Sequence, residues 1–157
     1  MEKAVVNTWF LALAFAFLNV GNSYGQLKTI GFEQLDSLQT VQKRPVLLFF
    51  HADWCTFCQS MKNTTFKNKA LIEKLNNQFY CISFNGEQQE NVVYKGKTFK
   101  FKPTGNRTGT HEIVDLFATA AITYPLIVIL NRENEIIFEY SNYLNAAEML
   151  KILEKLE

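Results

Sequence analysis

Residues 46–58 read VLLFFHADWCTFC, and this stretch decides the fold. Its first five residues form a continuous apolar run, which is expected of a strand buried on both faces of a largely parallel sheet. After a short turn at 51–54, the pattern becomes helical from Cys55 through Met61 and onward. The stretch therefore predicts a buried strand that leads directly into a helix, with two cysteines where the helix begins.

Cys55 and Cys58 lie at the predicted N-terminus of this helix. Unpaired backbone N–H groups and the positive end of the helix dipole stabilise a thiolate there, and the pKa of such a cysteine falls to about 3.5–7.5. The spacing of three residues brings Cys58 close enough for a disulfide. We expect Cys55 to attack a partner's disulfide, or to be attacked within its own, and the deeper Cys58 to resolve the mixed disulfide.

Three other interpretations of the cysteine pair have weaker support. A structural zinc site takes four ligands, usually as two such pairs, and the further candidate ligands are only Cys81, His51 and His111. An inert structural disulfide with so short a loop adds little chain-entropy stabilisation. Copper handling through Cys55, Cys58 and His51 would be favoured by a Met-rich or His-rich context, which the sequence does not have.

The rest of the chain alternates between helical and strand patterns. The order, closing with two strands and a helix, predicts an α/β fold with a mixed central sheet and helices on both faces. Spacings of three among Phe32, Leu35, Leu38 and Val41 mark the first helix, and Ile113, Leu116 and Phe117 mark the fourth. Helices are predicted over 31–43, from Cys55, over 69–76 after the N-cap Asn68, over 111–121, and after Asn145 with Glu148 in a capping box; strands are predicted over 46–50, 79–84, 126–130 and 135–140.

Residues 85–110, called the insert below, differ from this alternation. Residues 91–101 alternate loosely around Lys95-Gly96 and predict a small hairpin, and a polar stretch follows at 103–110. The plainest interpretation is a surface hairpin, and the alternative is a partner-recognition element. His111, near the start of a helix, is expected to be exposed.

Two further side chains carry open interpretations. Cys81 lies in an apolar strand and is expected to be an inert buried thiol. His51 is interpreted as a structural or solvent-facing residue, and the alternative is that it tunes Cys55 electrostatically.

The first 25 residues form a predicted signal peptide. The apolar run at 9–18 is shorter than the roughly 20 residues that span a bilayer, but it has the length of a signal-peptide core. Ser23 and Gly25 are small residues suited to cleavage before Gln26. We expect cleavage to leave residues 26–157 as one exported domain, periplasmic or secreted, without a stable membrane span. The alternatives are an uncleaved anchor and a buried N-terminal helix.

Composition excludes several classes of function. The chain has 157 residues and a formal net charge of +1, which suits one domain and gives no basic surface for nucleic acid. Its 14 Phe, 6 Tyr and 2 Trp argue against disorder. Three cysteines are too few for a disulfide-stapled scaffold, so their chemistry must come from their placement.

Two segments resemble those of a known family. Residues 50–58, together with Met61 and the Thr-Thr-Phe of 64–66, resemble the active-site segment of secreted bacterial thioredoxin-like domains. They are also similar to the C-terminal domain of the membrane thiol-reductant transporter. Residues 122–126, Ile-Thr-Tyr-Pro-Leu, resemble the segment that holds the family's cis-proline before a central strand. The resemblance covers roughly residues 31–157.

The resemblance implies roles for particular residues. The Tyr124–Pro125 bond would be cis and would face the cysteine pair, which leaves the backbone at residue 124 free to pair with a substrate strand. Trp54 and Pro125 would frame the pair, and substrate would contact an apolar surface formed by Trp54, Thr56, Phe57 and Tyr124. Phe49 is a departure, because it occupies the strand position where thioredoxin keeps a buried acid near its second cysteine. The usual proton acceptor for Cys58 is therefore absent or replaced by water or another group.

The sequence thus predicts an exported thiol–disulfide oxidoreductase that exchanges disulfides with protein substrates through Cys55 and Cys58. It implies a membrane or periplasmic redox partner and no organic cofactor or metal. Reductases, oxidases and isomerases use the same residues and differ in potential and partners, so the direction of electron flow stays open. The alternative is a non-enzymatic binding module that presents the insert to a partner.

Overall fold

The computed structural model describes residues 25–105 and 108–156. The predicted signal peptide, apart from Gly25, lies outside the described residues. The helices are α1 (Phe32–Val41), α2 (Thr56–Asn63), a 3₁₀ turn (Thr65–Lys67), α3 (Lys69–Gln78), α4 (Glu112–Phe117) and α5 (Ala146–Lys155). The strands are β1 (Val46–His51), β2 (Tyr80–Asn85), β3 (Val92–Tyr94), β4 (Lys97–Phe99), β5 (Phe101–Gly105), β6 (Thr108–His111), β7 (Leu126–Leu130) and β8 (Ile136–Tyr140).

The central sheet is mixed, as the sequence predicts. Its strand order is β2-β1-β7-β8. β1 pairs in parallel with β2, where Val46 lies opposite Tyr80, and antiparallel with β7, where Val46 lies opposite Leu130. β7 pairs antiparallel with β8. β1 therefore lies inside the sheet, which explains why all its residues are buried.

Helices cover both faces of this sheet, and each face has its own apolar core. Leu47 and Phe49 of β1 pack with α2, α3 and α5, whereas Val46, Leu48 and Phe50 pack with α1 and α4. The alternation follows from the two-residue period of a strand. Cys55 and Cys58 belong to the first of these cores, so the cysteine pair is part of the packed interior.

The insert forms two hairpins, β3–β4 and β5–β6. Lys95 and Gly96 both have positive φ at the first turn, as a tight hairpin turn requires. Val92, Tyr94 and Phe99 are buried in the core beneath α1 and α4. The interpretation of the insert as a surface hairpin is therefore wrong, because its first hairpin completes one face of the domain. The polar stretch at 103–110 also contributes strand residues.

His111 is fully buried, so the expectation that it is exposed is wrong. Its Nε2 lies 3.0 Å from the carbonyl of Glu90, and its Nδ1 accepts the N–H of Ile113 at 3.2 Å. The second contact assigns the proton to Nε2, which donates to Glu90. Both ring nitrogens are thus satisfied, and the neutral imidazole joins the insert to the N-terminus of α4. Burial is the largest cause of the lowered pKa of His111.

Two predicted apolar helix positions face solvent. Val41 and Leu116 are exposed, whereas Phe32 and Ile113 are buried. Residues three apart on an α-helix fall about 60° short of a full turn, so three such steps carry Val41 to the side opposite Phe32. The two predicted helix N-caps are confirmed: the Asn68 side chain accepts the N–H of Leu71, and Asn145 forms a capping box with Glu148.

Candidate active site

The cysteine pair sits where β1 passes into α2. The Ala52 carbonyl accepts the N–H of Cys55 at 3.2 Å, which closes the turn, and Cys55 is the N-cap of α2. Its Sγ accepts the N–H of Cys58 at 3.0 Å. A side chain at this position receives the otherwise unpaired donors of the first helical turn, which favour a negatively charged acceptor. The local sequence thus places Cys55 where a thiolate is stabilised.

Cys55 and Cys58 form a disulfide, with 5.2 Å between their Cα atoms. Cys55 is 3% exposed and Cys58 is fully buried, so the order of depth agrees with the sequence prediction. Both cysteines belong to the packed core, and Cys55 is the one that retains some exposure to solvent.

The space below the pair is apolar. Phe49 packs against Phe66 at 4.9 Å between ring centroids, and both are buried. The residues of β1 include no carboxylate, so this strand supplies no acid beside Cys58.

A polar pair lies on the same face of the sheet, at the end of β1. The Lys62 ammonium donates to Nδ1 of His51 at 3.2 Å. Burial, followed by the neighbouring Lys62 charge, lowers the pKa of His51 from 6.5 to about 4, while Asp53 opposes the shift. Burial also lowers the pKa of Lys62. His51 is therefore neutral at neutral pH and buried, and of the structural and solvent-facing interpretations the structural one is confirmed.

Trp54 and Tyr124 form an aromatic pair beside the cysteines. Their ring centroids lie 6.3 Å apart in an edge-to-face arrangement. Trp54 is 68% exposed, and its indole Nε1 donates to Glu87 at 2.9 Å. This hydrogen bond fixes a large, solvent-facing ring at the edge of the site. Glu87 was not singled out by the sequence.

The Tyr124–Pro125 peptide bond is cis. The Tyr124 ring extends from the start of β7 toward Gly86, which follows β2, and touches both cores. Its hydroxyl is buried and has no hydrogen-bond partner among the described residues. Burial, then the carboxylates of Glu87 and Asp115, raise the pKa of Tyr124 to about 12.

A second aromatic pair involves the residue between the cysteines. Phe57 is 59% exposed, and its ring centroid lies 6.3 Å from that of Tyr143. Thr56 is also exposed. Sequence reasoning named Phe57 and Thr56 but missed Tyr143, which sits in the loop between β8 and α5.

Cys81 takes no part in this constellation. It is buried in β2, and burial raises the pKa of its thiol to about 12. A thiol that stays protonated is a poor nucleophile, so the prediction of a buried, inert thiol agrees with the structure. No group of three His, Cys, Asp or Glu side chains that could hold a metal ion occurs within residues 25–105 and 108–156.

Known proteins share the sequence pattern and the fold of this chain. The model of the thioredoxin-like domain family matches residues 32–157. This chain belongs to the thioredoxin-like domain family. The structure of a thioredoxin from Thermus thermophilus is similar at a TM-score of 0.60 and 18% identity, with 84% of this chain and 88% of that chain covered.

Two other solved structures are similar in fold. The DsbH oxidoreductase has a TM-score of 0.58 at 15% identity, with 84% of this thioredoxin-like chain and 85% of that chain covered. The reduced C-terminal domain of DsbD from Neisseria meningitidis has a TM-score of 0.54 at 16% identity, with 80% and 92% covered. No curated protein sequence matches the chain significantly. Within the part of the chain that the structure describes, none of the helices has the length and apolarity to cross a bilayer.

Proposed function

We propose that this thioredoxin-like domain is an exported thiol–disulfide oxidoreductase that exchanges disulfides with protein substrates through Cys55 and Cys58. The observation that carries the proposal is the position of Cys55 at the N-cap of α2, where its sulfur accepts the N–H of Cys58. Export rests on the signal-peptide pattern of residues 1–25, and the mature domain is residues 26–157.

In the reduced protein, the Cys55 thiolate attacks one sulfur of a substrate disulfide. A bond forms between Cys55 and that sulfur, the substrate S–S bond breaks, and the other substrate sulfur leaves as a thiolate that takes a proton from solvent. Cys58 then gives its proton to solvent and attacks the Cys55 sulfur; the bond from Cys55 to the substrate breaks, and the second substrate sulfur leaves as a thiolate that takes a proton from solvent. The substrate disulfide gains two electrons and the protein dithiol loses two. With a reduced substrate, the same steps run in reverse.

The surrounding residues bind the substrate in this scheme. An extended substrate segment pairs with the backbone at Tyr124, next to the cis bond of Pro125. Trp54, Thr56 and Phe57 cover its flanks, and their exposure supports this role. The chemistry needs no organic cofactor or metal, since the electrons move between sulfur atoms. A membrane or periplasmic redox partner resets the cysteine pair.

Trapping of a mixed disulfide tests the proposal. Cys58→Ala removes the resolving sulfur, so a disulfide-bonded protein such as insulin should remain covalently attached through Cys55. The adduct should appear on a non-reducing gel, disappear with dithiothreitol, and be absent from the Cys55→Ala variant. A non-enzymatic binding module would give no adduct with either variant, and that result would overturn the proposal.

A further inference from the structure

A cleft of about 240 Å³ opens beside β2 and is called the β2 cleft here. Leu47 and Phe49 of β1 and Cys81 of β2 form its floor, and all three side chains are buried. They share one face of the sheet because the register pairs Leu47 with Cys81 and Phe49 follows two residues later. The floor of the cleft is therefore apolar, and the central sheet fixes its shape.

The outer wall of the cleft is formed by the extended segment of residues 26–30. The Asn76 side chain holds this segment at two points, since it accepts the N–H of Lys28 at 2.8 Å and donates to the carbonyl of Gln26 at 2.9 Å. Leu27 lines the cleft and packs against the core that contains the cysteines. The wall is thus held in place without a ligand, so little conformational freedom is lost when one binds.

Two lysines line the cleft, Lys62 of α2 and Lys67 of the 3₁₀ turn. Lys62 donates to the imidazole of His51, which is neutral at neutral pH and does not cancel the lysine charge. Lys67 is exposed and has no hydrogen-bond or ion-pair partner among the residues that the structure describes. The charge of Asp53 acts on Lys62, but Asp53 does not line the cleft. Two positive charges therefore lie beside an apolar floor, and within the described part of the chain no acidic side chain lines the same cleft.

The size and the lining of the cleft define the chemistry of a matching ligand. An apolar cavity of about 150 Å³ is large enough for benzene, so the larger β2 cleft has room for an aliphatic chain of roughly eight carbons. Such a chain would cover the apolar floor. Ammonium groups favour an anionic acceptor, and charge-assisted bonds to a carboxylate are stronger than bonds to a neutral group. The exposed hydroxyls of Thr29 and Ser83, which also line the cleft, can donate to the same carboxylate.

We propose that the β2 cleft binds a small carboxylic acid with an apolar chain. The carboxylate lies between Lys62 and Lys67, and the chain lies on the floor formed by Leu47, Phe49 and Cys81. This binding goes beyond the proposed disulfide exchange and does not depend on it, because neither Cys55 nor Cys58 lines the cleft.

Isothermal titration calorimetry of the oxidised full-length protein tests the inference, with octanoate, butanoate and 1-octanol as probes at one ionic strength. We expect octanoate to bind with a dissociation constant of about 1 mM or lower. 1-Octanol should bind at least about tenfold more weakly because it lacks the charge, and butanoate at least about tenfold more weakly because it lacks four methylene groups.

Variants of the cleft locate the binding. Lys67→Gln and Lys62→Gln should each weaken octanoate by roughly tenfold, the effect of one charge-assisted hydrogen bond. Ser83→Phe should abolish binding because the ring would occupy the cleft. Lys151→Gln is the matched control and should leave the dissociation constant unchanged, because Lys151 is an exposed lysine of α5 that does not line the cleft.

Three results would overturn the inference. The first is the absence of saturable octanoate binding at millimolar concentrations, and the second is 1-octanol binding as tightly as octanoate. The third is an unchanged octanoate affinity in Lys67→Gln or in Ser83→Phe, which would place the binding elsewhere on the protein. Lys67 and Ser83 are exposed, so their variants keep the test valid if Lys62→Gln does not fold. Failure of disulfide exchange would leave these binding results unaffected, so the two proposals fail separately.

Discussion

The packing of Tyr124 against Gly86 fixes the position of the Tyr124 ring beside Trp54 and Pro125 at the edge of the site. A Cβ added to Gly86 would lie 2.7 Å from Cζ and 2.9 Å from Cε1 of Tyr124, and closer still to the hydroxyl oxygen. Ordinary contacts begin at 3.4 Å, so the ring must move by about 0.7 Å at Cζ and by more at its tip. The backbone of Gly86 is held on both sides: its N–H donates to the backbone carbonyl of His51, and its carbonyl accepts the backbone N–H of His111, each at 2.8 Å. It therefore cannot easily move away from the ring.

We therefore expect Gly86→Ala to lower the free energy of unfolding by about 1–3 kcal/mol, the usual cost of overpacking. Because the displaced ring is joined to Pro125 and contacts Trp54, disulfide exchange should slow by roughly tenfold to a hundredfold. Tyr124→Phe removes a buried hydroxyl that has no hydrogen-bond partner within the described part of the chain, so alone it should be neutral or stabilise by about 1 kcal/mol. Combined with Gly86→Ala, it should recover at least about 1 kcal/mol by relieving the tightest contact.

Guanidinium unfolding of the oxidised protein and the rate of exchange with a peptide disulfide give the two readouts. Gly31→Ala is the matched control, because its Cβ would meet only the flexible carboxylate end of Glu33. It should change the free energy of unfolding by less than about 1 kcal/mol and leave the exchange rate as it is. If Gly86→Ala behaves like this control, or if the effects of Gly86→Ala and Tyr124→Phe simply add, the packing argument is wrong.

Three further predictions concern acid stability, the loop between β8 and α5, and the nucleophile. The pKa of His51 is about 4 in the folded protein and 6.5 in the unfolded chain, so between these pH values only the unfolded chain binds a proton at His51. The free energy of unfolding should therefore fall by about 1–3 kcal/mol as the pH is lowered from 6.5 to 4. Urea unfolding at several pH values should show a flatter profile for His51→Phe, and parallel profiles would contradict this. Thr65→Val should lower the free energy of unfolding by about 1–2 kcal/mol, because the buried Leu144 carbonyl loses its donor; unchanged thermal stability would refute it. The alkylation rate of Cys55 in the reduced protein should titrate with a pKa below 8.5, and a value at or above 8.5 would mean that the helix N-terminus does not activate it.

The strand–turn–helix of residues 46–58 and the position of the cysteines are predictable from the sequence because their causes are local. A five-residue apolar run, the switch to helical spacing and the chemistry of a helix N-terminus need no knowledge of the rest of the chain. The caps at Asn68 and Asn145 are predictable for the same reason, since each side chain bonds a backbone group three residues away.

Other features depend on contacts between distant segments. Trp54 and Glu87 are 33 residues apart, and Thr65 and Leu144 are 79 apart, so no local pattern marks either pair. His111 can be buried because its Nε2 donates to the backbone carbonyl of Glu90, a residue of the insert that lies 21 positions earlier in the chain. A usable signal existed for the insert, since Val92, Tyr94 and Phe99 are large apolar side chains in a segment interpreted as surface. Their period of two within the hairpin places Val92 and Tyr94 on the same face.

The account's central claim is that Cys55 is the nucleophile of a disulfide-exchange reaction. The most direct measurement is the rate at which the purified protein catalyses the reduction of insulin disulfides by dithiothreitol, followed by turbidity. The account predicts catalysis by the unmodified protein, loss to the uncatalysed rate in Cys55→Ala, and full activity in Cys81→Ala, since that buried thiol takes no part. An unmodified protein no faster than dithiothreitol alone, or a Cys55→Ala variant as active as the unmodified protein, would contradict it.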